Sequence, residues 1–458
     1  MTADVEAAVP SRARPPSFLQ PHENPAVVAW WAARVGPLLV HLGAARRRQL
    51  LAVAAIVVGV GKIAEPLEEA PWPAWAAVPL LFGFLYLCYL AAVRFRDLPS
   101  VVRVRPQLVL HAIFAVVLVA AWASSPGWGR RLLIVVATML SFLVWRIGYM
   151  LKAGQRGKAA GTRFVDHLFY MWPVWRGTNT PYGKGFDYLT RHEATTPEAF
   201  ARSQLAGLRL IVLGLVWRAV LEVMDAGVYG DPESILTASL HGHHLDIPQL
   251  PDLLRNPVGV ALPVAWASLY LELVRAVLRL AAKGHILIGW LRLCGFYVFR
   301  NTYKPLLAES VVEFWNRYYY YFKELLVEFF FFPTFVRRFR HAPRLRIVAA
   351  TFAAALVGNM YYHTIEQPSF IAGNLTVSWG VLHSRLFYCV VLATGITVSM
   401  LREQQRRGAA RAPAGGVHRV VRIAGVWTFF ALVHVWAVPG PTPGFGDRTR
   451  FVFSLFGF

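Results

Sequence analysis

A single histidine, His363, follows the apolar run 347–357 and carries the only imidazole in that part of the chain. Burial in an apolar bundle disfavours a charged imidazolium, so we expect the His363 ring to be neutral at physiological pH. A neutral imidazole can accept the proton of a hydroxyl group while the hydroxyl oxygen attacks a thioester carbonyl. The alternative interpretation is a histidine that only packs and hydrogen-bonds inside a membrane bundle.

A polar segment rich in aromatic side chains precedes this histidine, and at 313–321 it reads Glu-Phe-Trp-Asn-Arg-Tyr-Tyr-Tyr-Tyr. Charged groups are expensive to place in lipid, so we expect those of a helix here to face a water-filled cavity or one another. The Glu313–Arg317 pair would either hold the helix in place or bind substrate. Spacings of four, three and four residues predict one helical stripe formed by Glu313, Arg317, Tyr320 and Glu324.

The order of these features resembles the membrane-bound O-acyltransferase family, in the branch that acylates cell-surface polysaccharides. There, a Glu-Phe-Trp-x-Arg-Trp-His helix is followed roughly fifty residues later by Leu-Trp-His-Gly, and Trp315 and His363 stand at a comparable separation. Trp379-Gly-Val-Leu-His383 is similar to the family's Trp-Gly-Leu-Leu-His-Gly. The sequence at 170–177 lies where the family has Phe-Pro-x-Leu-x-Ala-Gly-Pro. The resemblance covers about residues 164–458.

The resemblance implies a bacterial cytoplasmic-membrane enzyme that moves an acetyl or another short acyl group. The donor would be a cytoplasmic thioester, either acyl-coenzyme A or an acylated carrier protein, and no bound cofactor or metal is implied. The acceptor would be a hydroxyl of a cell-envelope glycan or lipid-linked sugar, and an envelope protein that relays the acyl group would be a further partner. His363 is the implied catalytic residue. The residues implied to bind substrate or line the same region are Glu313, Asn316, Arg317, Tyr319 and His383.

The chain departs from the family pattern at two places. Tyr318-Tyr319 stand where the family helix has Trp-His, so the second histidine is missing. Either the Tyr319 hydroxyl or Asn316 would then take over its hydrogen bond. Thr364 stands where the family has a glycine after the histidine, and its larger side chain would alter the wall of an acyl tunnel. The acyl chain length is therefore left open.

Long apolar runs must position these residues. Hydrophobic residues make up 56% of the chain and charged residues only 16%, which excludes an ordinary soluble domain of this length. About 20 apolar residues in a helix cross the ~30 Å core of a bilayer, and lipid satisfies no backbone polar groups, so such runs must be helical. The predicted spans are about 49–64, 73–93, 107–125, 131–150, 204–224, 257–280, 347–364, 375–400 and 420–438.

These spans predict an all-α, polytopic transmembrane helical bundle. Shorter apolar pieces near 164–176, 285–299, 310–333 and 449–458 are candidates for re-entrant helices. By the family resemblance, the re-entrant helices would surround a central acyl-transfer tunnel. Breaks in the pattern divide the chain into a cytoplasmic or interfacial segment, peripheral transmembrane helices and a catalytic core, at residues 1–45, 46–163 and 164–458.

The net charge of +22 invites a nucleic-acid function, but the distribution of the basic residues argues against it. Under the positive-inside rule, basic loops face the cytoplasm, and the acidic loop 225–256 would lie outside. We therefore predict a lipid partner and no nucleic acid. The arginines of 337–346 would either set topology beside anionic lipid or bind the phosphates of the donor. The basic loops are 46–48, 94–105, 152–163, 337–346 and 402–422.

A cluster of histidines in the acidic loop has the residue types of a metal site but not the pattern. The cluster lacks a second group of ligands at a standard spacing, so we predict that it binds no metal. Its members are His241, His243, His244 and Asp246.

Two classes of function stay open at this point. The first is a membrane acyltransferase in which His363 lies between a donor from the cytoplasmic side and an acceptor from the outer side. The second is a membrane protein on the same scaffold that binds or moves an acylated lipid or polymer without chemistry. Product formation by a His363→Ala variant that still folds and inserts separates the two.

Overall fold

A computed structural model describes residues 20–64, 71–171, 184–256, 259–406, 416–438, 440 and 443–458. Over these ranges the chain is helical and no β-strand forms beyond one isolated bridge between Glu193 and Phe296. The predicted all-α bundle is confirmed. The 170–177 motif falls largely outside the described residues. The division into three parts stays a prediction.

Among the residues that the structure describes, six helices are long and apolar enough to cross a membrane. The chain is therefore an integral membrane protein in contact with the lipid bilayer. Each of the six overlaps a span predicted from the sequence. They are Trp75–Val93, Pro106–Ala123, Trp128–Gln155, Pro343–Ile365, Leu375–Gln405 and Gly416–His434.

The first half of the chain builds the flank of the bundle. A helix that carries two tryptophans, α1, packs on α9 through a small apolar cluster around Val28 and Leu205. The helices are α1 (Pro25–His41), α2 (Ala44–Ala64), α3 (Pro71–Val93), α4 (Ser100–Val104), α5 (Pro106–Ala123), α6 (Trp128–Gln155), α7 (Val165–Met171), α8 (Gly185–Arg191), α9 (Pro197–Gly227), α10 (Leu250–Arg255) and α11 (Leu262–Leu293).

The second half holds the segments that carry the predicted chemistry. Two short π-helical segments, Val327–Phe331 and Ala353–Gly358, interrupt its helices. The helices are α12 (Val311–Tyr318), α13 (Tyr320–Leu326), α14 (Phe332–Arg337), α15 (Pro343–Phe352), α16 (Asn359–Ile365), α17 (Pro368–Ile371), α18 (Leu375–Arg406), α19 (Gly416–His434) and α20 (Phe445–Ser454).

Small residues let two long helices of the core, α9 and α11, pack closely. A Cβ atom added at Gly207 would lie 2.7 Å from the Gly289 carbonyl oxygen, and one at Gly289 would lie 2.8 Å from the Gly207 carbonyl oxygen. Such close backbone contact at glycine is typical of helix pairs in membranes. At its start, α9 is capped by the Thr196 hydroxyl, which accepts from the Ala199 N–H at 3.2 Å.

Contacts between the ends of helices place the described parts of the basic loops at one end of the bundle. The ends of α3 and α6 are in close backbone contact: a Cβ atom added at Gly154 would lie 2.4 Å from the Ala92 carbonyl oxygen. Lys152, near the end of α6, pairs with Glu328 at 2.8 Å. At the opposite end of α6, the indole N–H of Trp122 donates to the Ile371 carbonyl at 3.1 Å. By the positive-inside rule, we expect the basic end to face the cytoplasm.

The segment 311–337 begins and ends at this basic end. At its start, the Ser310 hydroxyl lies 3.2 Å from a carboxylate oxygen of Glu403, near the end of α18. At its finish, the guanidinium of Arg346, on α15, lies 3.7 Å from the ring centre of Phe335. Pro343 at the start of α15 and Gln404 at the end of α18 line the same surface cavity, so the two ends lie together. The segment is re-entrant, as predicted near 310–333, whereas the central tunnel stays a prediction.

Two exposed positions at opposite ends test the predicted orientation. Ile235 is 79% exposed in the acidic loop, and Val417 is 80% exposed at the start of α19. In intact cells, we expect an impermeant thiol reagent to label Ile235→Cys from outside and to leave Val417→Cys unlabelled until the membrane is opened. The parent protein, with Cys88, Cys294 and Cys389, gives the background. The reverse labelling pattern would invert the donor and acceptor sides.

Candidate active site

His363 lies on α16, in the second half of the span that runs from Pro343 to Ile365 and away from the basic end. Its ring packs against Tyr362 and against Phe322 of the re-entrant segment, with ring centres 5.6 Å and 6.1 Å apart. Within the described part of the chain, no hydrogen bond occupies either ring nitrogen. The imidazole is therefore held by packing and keeps both nitrogens available to a ligand.

The two π-helical segments pack against each other directly before the site. A Cβ atom on Gly358 would lie 2.6 Å from the ring of Phe330, so only glycine permits this approach without movement of the ring. A π segment inserts an extra residue into a helix and often lies at a functional site. The second of the two segments, Ala353–Gly358, directly precedes α16 and sets the direction in which Asn359 and His363 point.

The predicted stripe of Glu313, Arg317, Tyr320 and Glu324 is wrong, because the helix ends at Tyr318. Tyr319 has φ −139° and ψ 67°, and a new helix begins at Tyr320. The chain at 301–303 replaces the helical hydrogen bonds: the Tyr303 N–H donates to the Arg317 carbonyl at 2.7 Å, and the Tyr320 N–H donates to the Asn301 carbonyl at 3.0 Å. Tertiary hydrogen bonds therefore override the helical periodicity.

The break separates the charges of the re-entrant segment into two groups. Glu313 pairs with Arg317 on α12, and it also accepts the Glu309 N–H at 2.6 Å. Glu324 pairs instead with Lys184 at 2.7 Å and with Lys323 at 2.9 Å. Each carboxylate therefore has its own basic partner.

The other residues implied by the family resemblance lie apart from one another. Asn316 is on the exposed side of α12. The Tyr319 ring lies 5.3 Å from that of Phe322, which itself contacts His363. His383, on α18, shares a hydrogen bond with its own helix at the Trp379 carbonyl at 2.8 Å. Tyr319 is linked to His363 through these two ring contacts, and the binding role of each residue stays a prediction.

We expect Glu313→Gln and Arg317→Gln each to lower the yield of folded, inserted protein, because each change leaves a partly buried charge without its partner. The double variant should recover much of that yield. Yield and acyl transfer are measured on the wild type and all three variants. If the pair contacts donor or acceptor, the double variant inserts normally and stays inactive. Full activity in the double variant would remove both residues from the predicted site.

Sequence reasoning missed Arg385, whose charge acts on His363. Arg385, on α18, lies within electrostatic range of both His363 and His434. Its guanidinium donates to the Ala437 carbonyl at 3.1 Å, just past the end of α19, where His434 lies. The sequence feature that could have identified it is the one that identified His363: an ionisable side chain inside an apolar run. Arg385 is therefore an ionisable group near His363, on α18 rather than on the re-entrant helix.

A second polar group inside the bundle adjoins the site. His111, on α5, shares a hydrogen bond with the Tyr361 hydroxyl at 2.7 Å and another with the Gln107 amide at 2.8 Å. The same amide donates to the Val144 carbonyl at 3.2 Å. These bonds fix Tyr361, two residues before His363. His111 thus has the partners expected of a structural histidine.

Glu366 is the first residue after the span and lies three positions beyond His363. Burial raises the pKa of Glu366 to about 8, against the opposing effects of a hydrogen bond with Tyr362 and of nearby Arg146. A carboxyl group with a raised pKa holds its proton at neutral pH. Glu366 is therefore a neutral hydrogen-bonding group beside the site at pH 7.

Neither a protein-family model nor a curated protein matches this chain. The resemblance to the membrane-bound O-acyltransferase family rests on the motifs themselves and stays a prediction.

Proposed function

We propose that the chain is a membrane O-acyltransferase of the membrane-bound O-acyltransferase type. It moves an acetyl or another short acyl group from a cytoplasmic thioester to a hydroxyl of a cell-envelope glycan or lipid-linked sugar. The observation that supports this most strongly is His363, an imidazole inside the bundle against the re-entrant Phe322, with neither nitrogen hydrogen-bonded within the described ranges. Ionisable groups held at membrane depth are typically functional.

The chemistry assigned to His363 is general-base catalysis. Its neutral imidazole accepts the proton of the acceptor hydroxyl while the hydroxyl oxygen bonds to the thioester carbonyl carbon. The carbon–sulfur bond then breaks, and the imidazolium returns the proton to the leaving thiolate. An ester and a free thiol are the products, and His363 ends the cycle neutral.

The arrangement of charge supports a donor from the basic end. Acyl-coenzyme A and acylated carrier proteins both present phosphate, which guanidinium groups bind well. Exposed arginines of the 337–346 loop, such as Arg340, stand at the start of the span that carries His363. The bacterial cytoplasmic membrane and an envelope protein that receives the acyl group belong to the same proposal.

Purified protein in lipid vesicles, given acetyl-coenzyme A labelled in the acetyl group, tests the proposal. The acceptor panel contains soluble glycans, lipid-linked sugars and a matched set with blocked hydroxyls. We expect label in an ester of at least one acceptor and none in its blocked counterpart. Absence of labelled ester with acetyl-, longer acyl- and carrier-bound donors would overturn the proposal.

A further inference from the structure

Asn359 is buried and lacks partners. It is the first residue of α16, and its side chain is 1% exposed. Both polar atoms, Oδ1 and Nδ2, are buried and have no hydrogen-bond partner among the described residues. Leaving a buried amide unsatisfied costs about 1–3 kcal/mol. Native proteins rarely retain such a group without a use for it, so a ligand is the natural partner.

The position of Asn359 connects it with His363. The two residues are four apart on α16 and therefore share one face of the helix. The π-helical segment ends one residue earlier, and Gly358 packs tightly against Phe330. That tight packing fixes the turn from which the amide projects. A reacting group beside His363 would thus lie one helical turn from the amide of Asn359.

A second buried donor packs on the same turn. Trp145, on α6, is 2% exposed, and its indole nitrogen has no hydrogen-bond partner in the described ranges. Its ring centre lies 6.1 Å from that of Tyr361 and 6.3 Å from that of Tyr362, the residues just before His363. Two unsatisfied N–H donors therefore border the helical turn between Asn359 and His363.

We propose that the side-chain amide of Asn359 donates a hydrogen bond to the carbonyl oxygen of the acyl donor. When the acceptor oxygen bonds to the carbonyl carbon, the electron pair of the carbonyl bond moves onto this oxygen, and the amide stabilises the resulting negative charge. The charge returns to the carbonyl as the carbon–sulfur bond breaks, and His363 carries the proton from the hydroxyl to the thiolate. This inference rests on the proposed acyl transfer.

The test compares stability and kinetics in Asn359→Leu, which removes the amide at similar size. Because the amide has no partner among the described residues, we expect the thermal midpoint of the variant to equal or exceed that of the wild type. With acetyl-coenzyme A as the probe, kcat should fall by about 10²–10³-fold while KM changes little, since the bond strengthens in the transition state. Asn359→Ser, which keeps a donor, should retain more activity than Asn359→Leu.

A matched control isolates the effect of the ligand. Thr397, on α18, also buries an unsatisfied side-chain oxygen, so Thr397→Val should leave both stability and kcat unchanged or slightly improved. A lowered thermal midpoint in Asn359→Leu would make the residue structural and overturn the inference. So would wild-type kcat in that variant. If the wild type itself transfers no acetyl group, the proposed function fails, which is a separate result.

Discussion

Replacing His363 with alanine should lower turnover by about 10²–10⁴-fold, because the acceptor hydroxyl then loses the base that takes its proton. The variant should fold and insert normally, since the described residues make no hydrogen bond to the ring. Turnover is measured as release of thiol from acetyl-coenzyme A in the presence of an acceptor, on protein quantified after reconstitution.

His383→Ala is the matched control for this change. Its ring also belongs to a span, but it is hydrogen-bonded to its own helix and packs against Phe445 at 5.8 Å between ring centres. We expect its turnover to stay within about tenfold of the wild type. Near-normal turnover in His363→Ala together with a large loss in His383→Ala would transfer the role of base to His383.

Replacing Arg448 with leucine should destabilise the protein by more than about 3 kcal/mol, the largest stability effect that we expect. Arg448 is fully buried on α20. Its guanidinium donates to four carbonyls, those of Val435, Val438, Gly440 and Pro443, at 2.8–3.2 Å. Leucine would leave those carbonyls without a donor. The change is read as a drop in the thermal midpoint of the purified protein.

Arg450→Leu provides the comparison on the same helix. Its side chain is 80% exposed, and among the described residues it pairs only with Asp447, at 3.4 Å. Exposed pairs contribute about 0–1 kcal/mol, so we expect almost no shift in the midpoint. Equal midpoints for the two variants would show that the Arg448 contacts do not hold the loop after α19.

Among the described residues, six of the nine predicted spans overlap helices that could cross a membrane. These could be predicted because lipid offers the backbone no hydrogen-bond partner, so an apolar run that crosses a bilayer must be a helix. The predicted 107–125 and 375–400 correspond to α5 and α18 with small shifts at their ends. The spacing of Glu313 and Arg317 likewise predicted a partnership that the structure contains. In each case the deciding interactions are local in the chain.

The break at Tyr319 could not be predicted from local pattern. It depends on hydrogen bonds with Asn301, whose carbonyl accepts, and with Tyr303, whose N–H donates; both lie in a separate loop, and these bonds replace the helical ones. A run of four tyrosines contains no signal that the helix will break, because each tyrosine is compatible with a helix. The sequence therefore predicted one helical stripe for Arg317 and Glu324, whereas the structure separates them and pairs Glu324 with Lys184.

The proximity of Arg385 to His363 was also beyond the sequence. The two residues lie on α18 and α16, and only the packing of those helices brings them together. The unsatisfied amide of Asn359 could not be predicted from the sequence either, because whether a polar group is hydrogen-bonded can be judged only when its surroundings are known.

The most direct test of acyl transfer follows the label and the thiol in one experiment. Purified wild-type protein and His363→Ala receive acyl-labelled coenzyme A and the best acceptor of the panel. We expect the wild type to release one thiol for each labelled ester formed, and His363→Ala to bind the donor equally well but form ester at least about 10²-fold more slowly. Label that binds or crosses the membrane without ester or thiol appearing would contradict acyl transfer and favour a binding or transport protein.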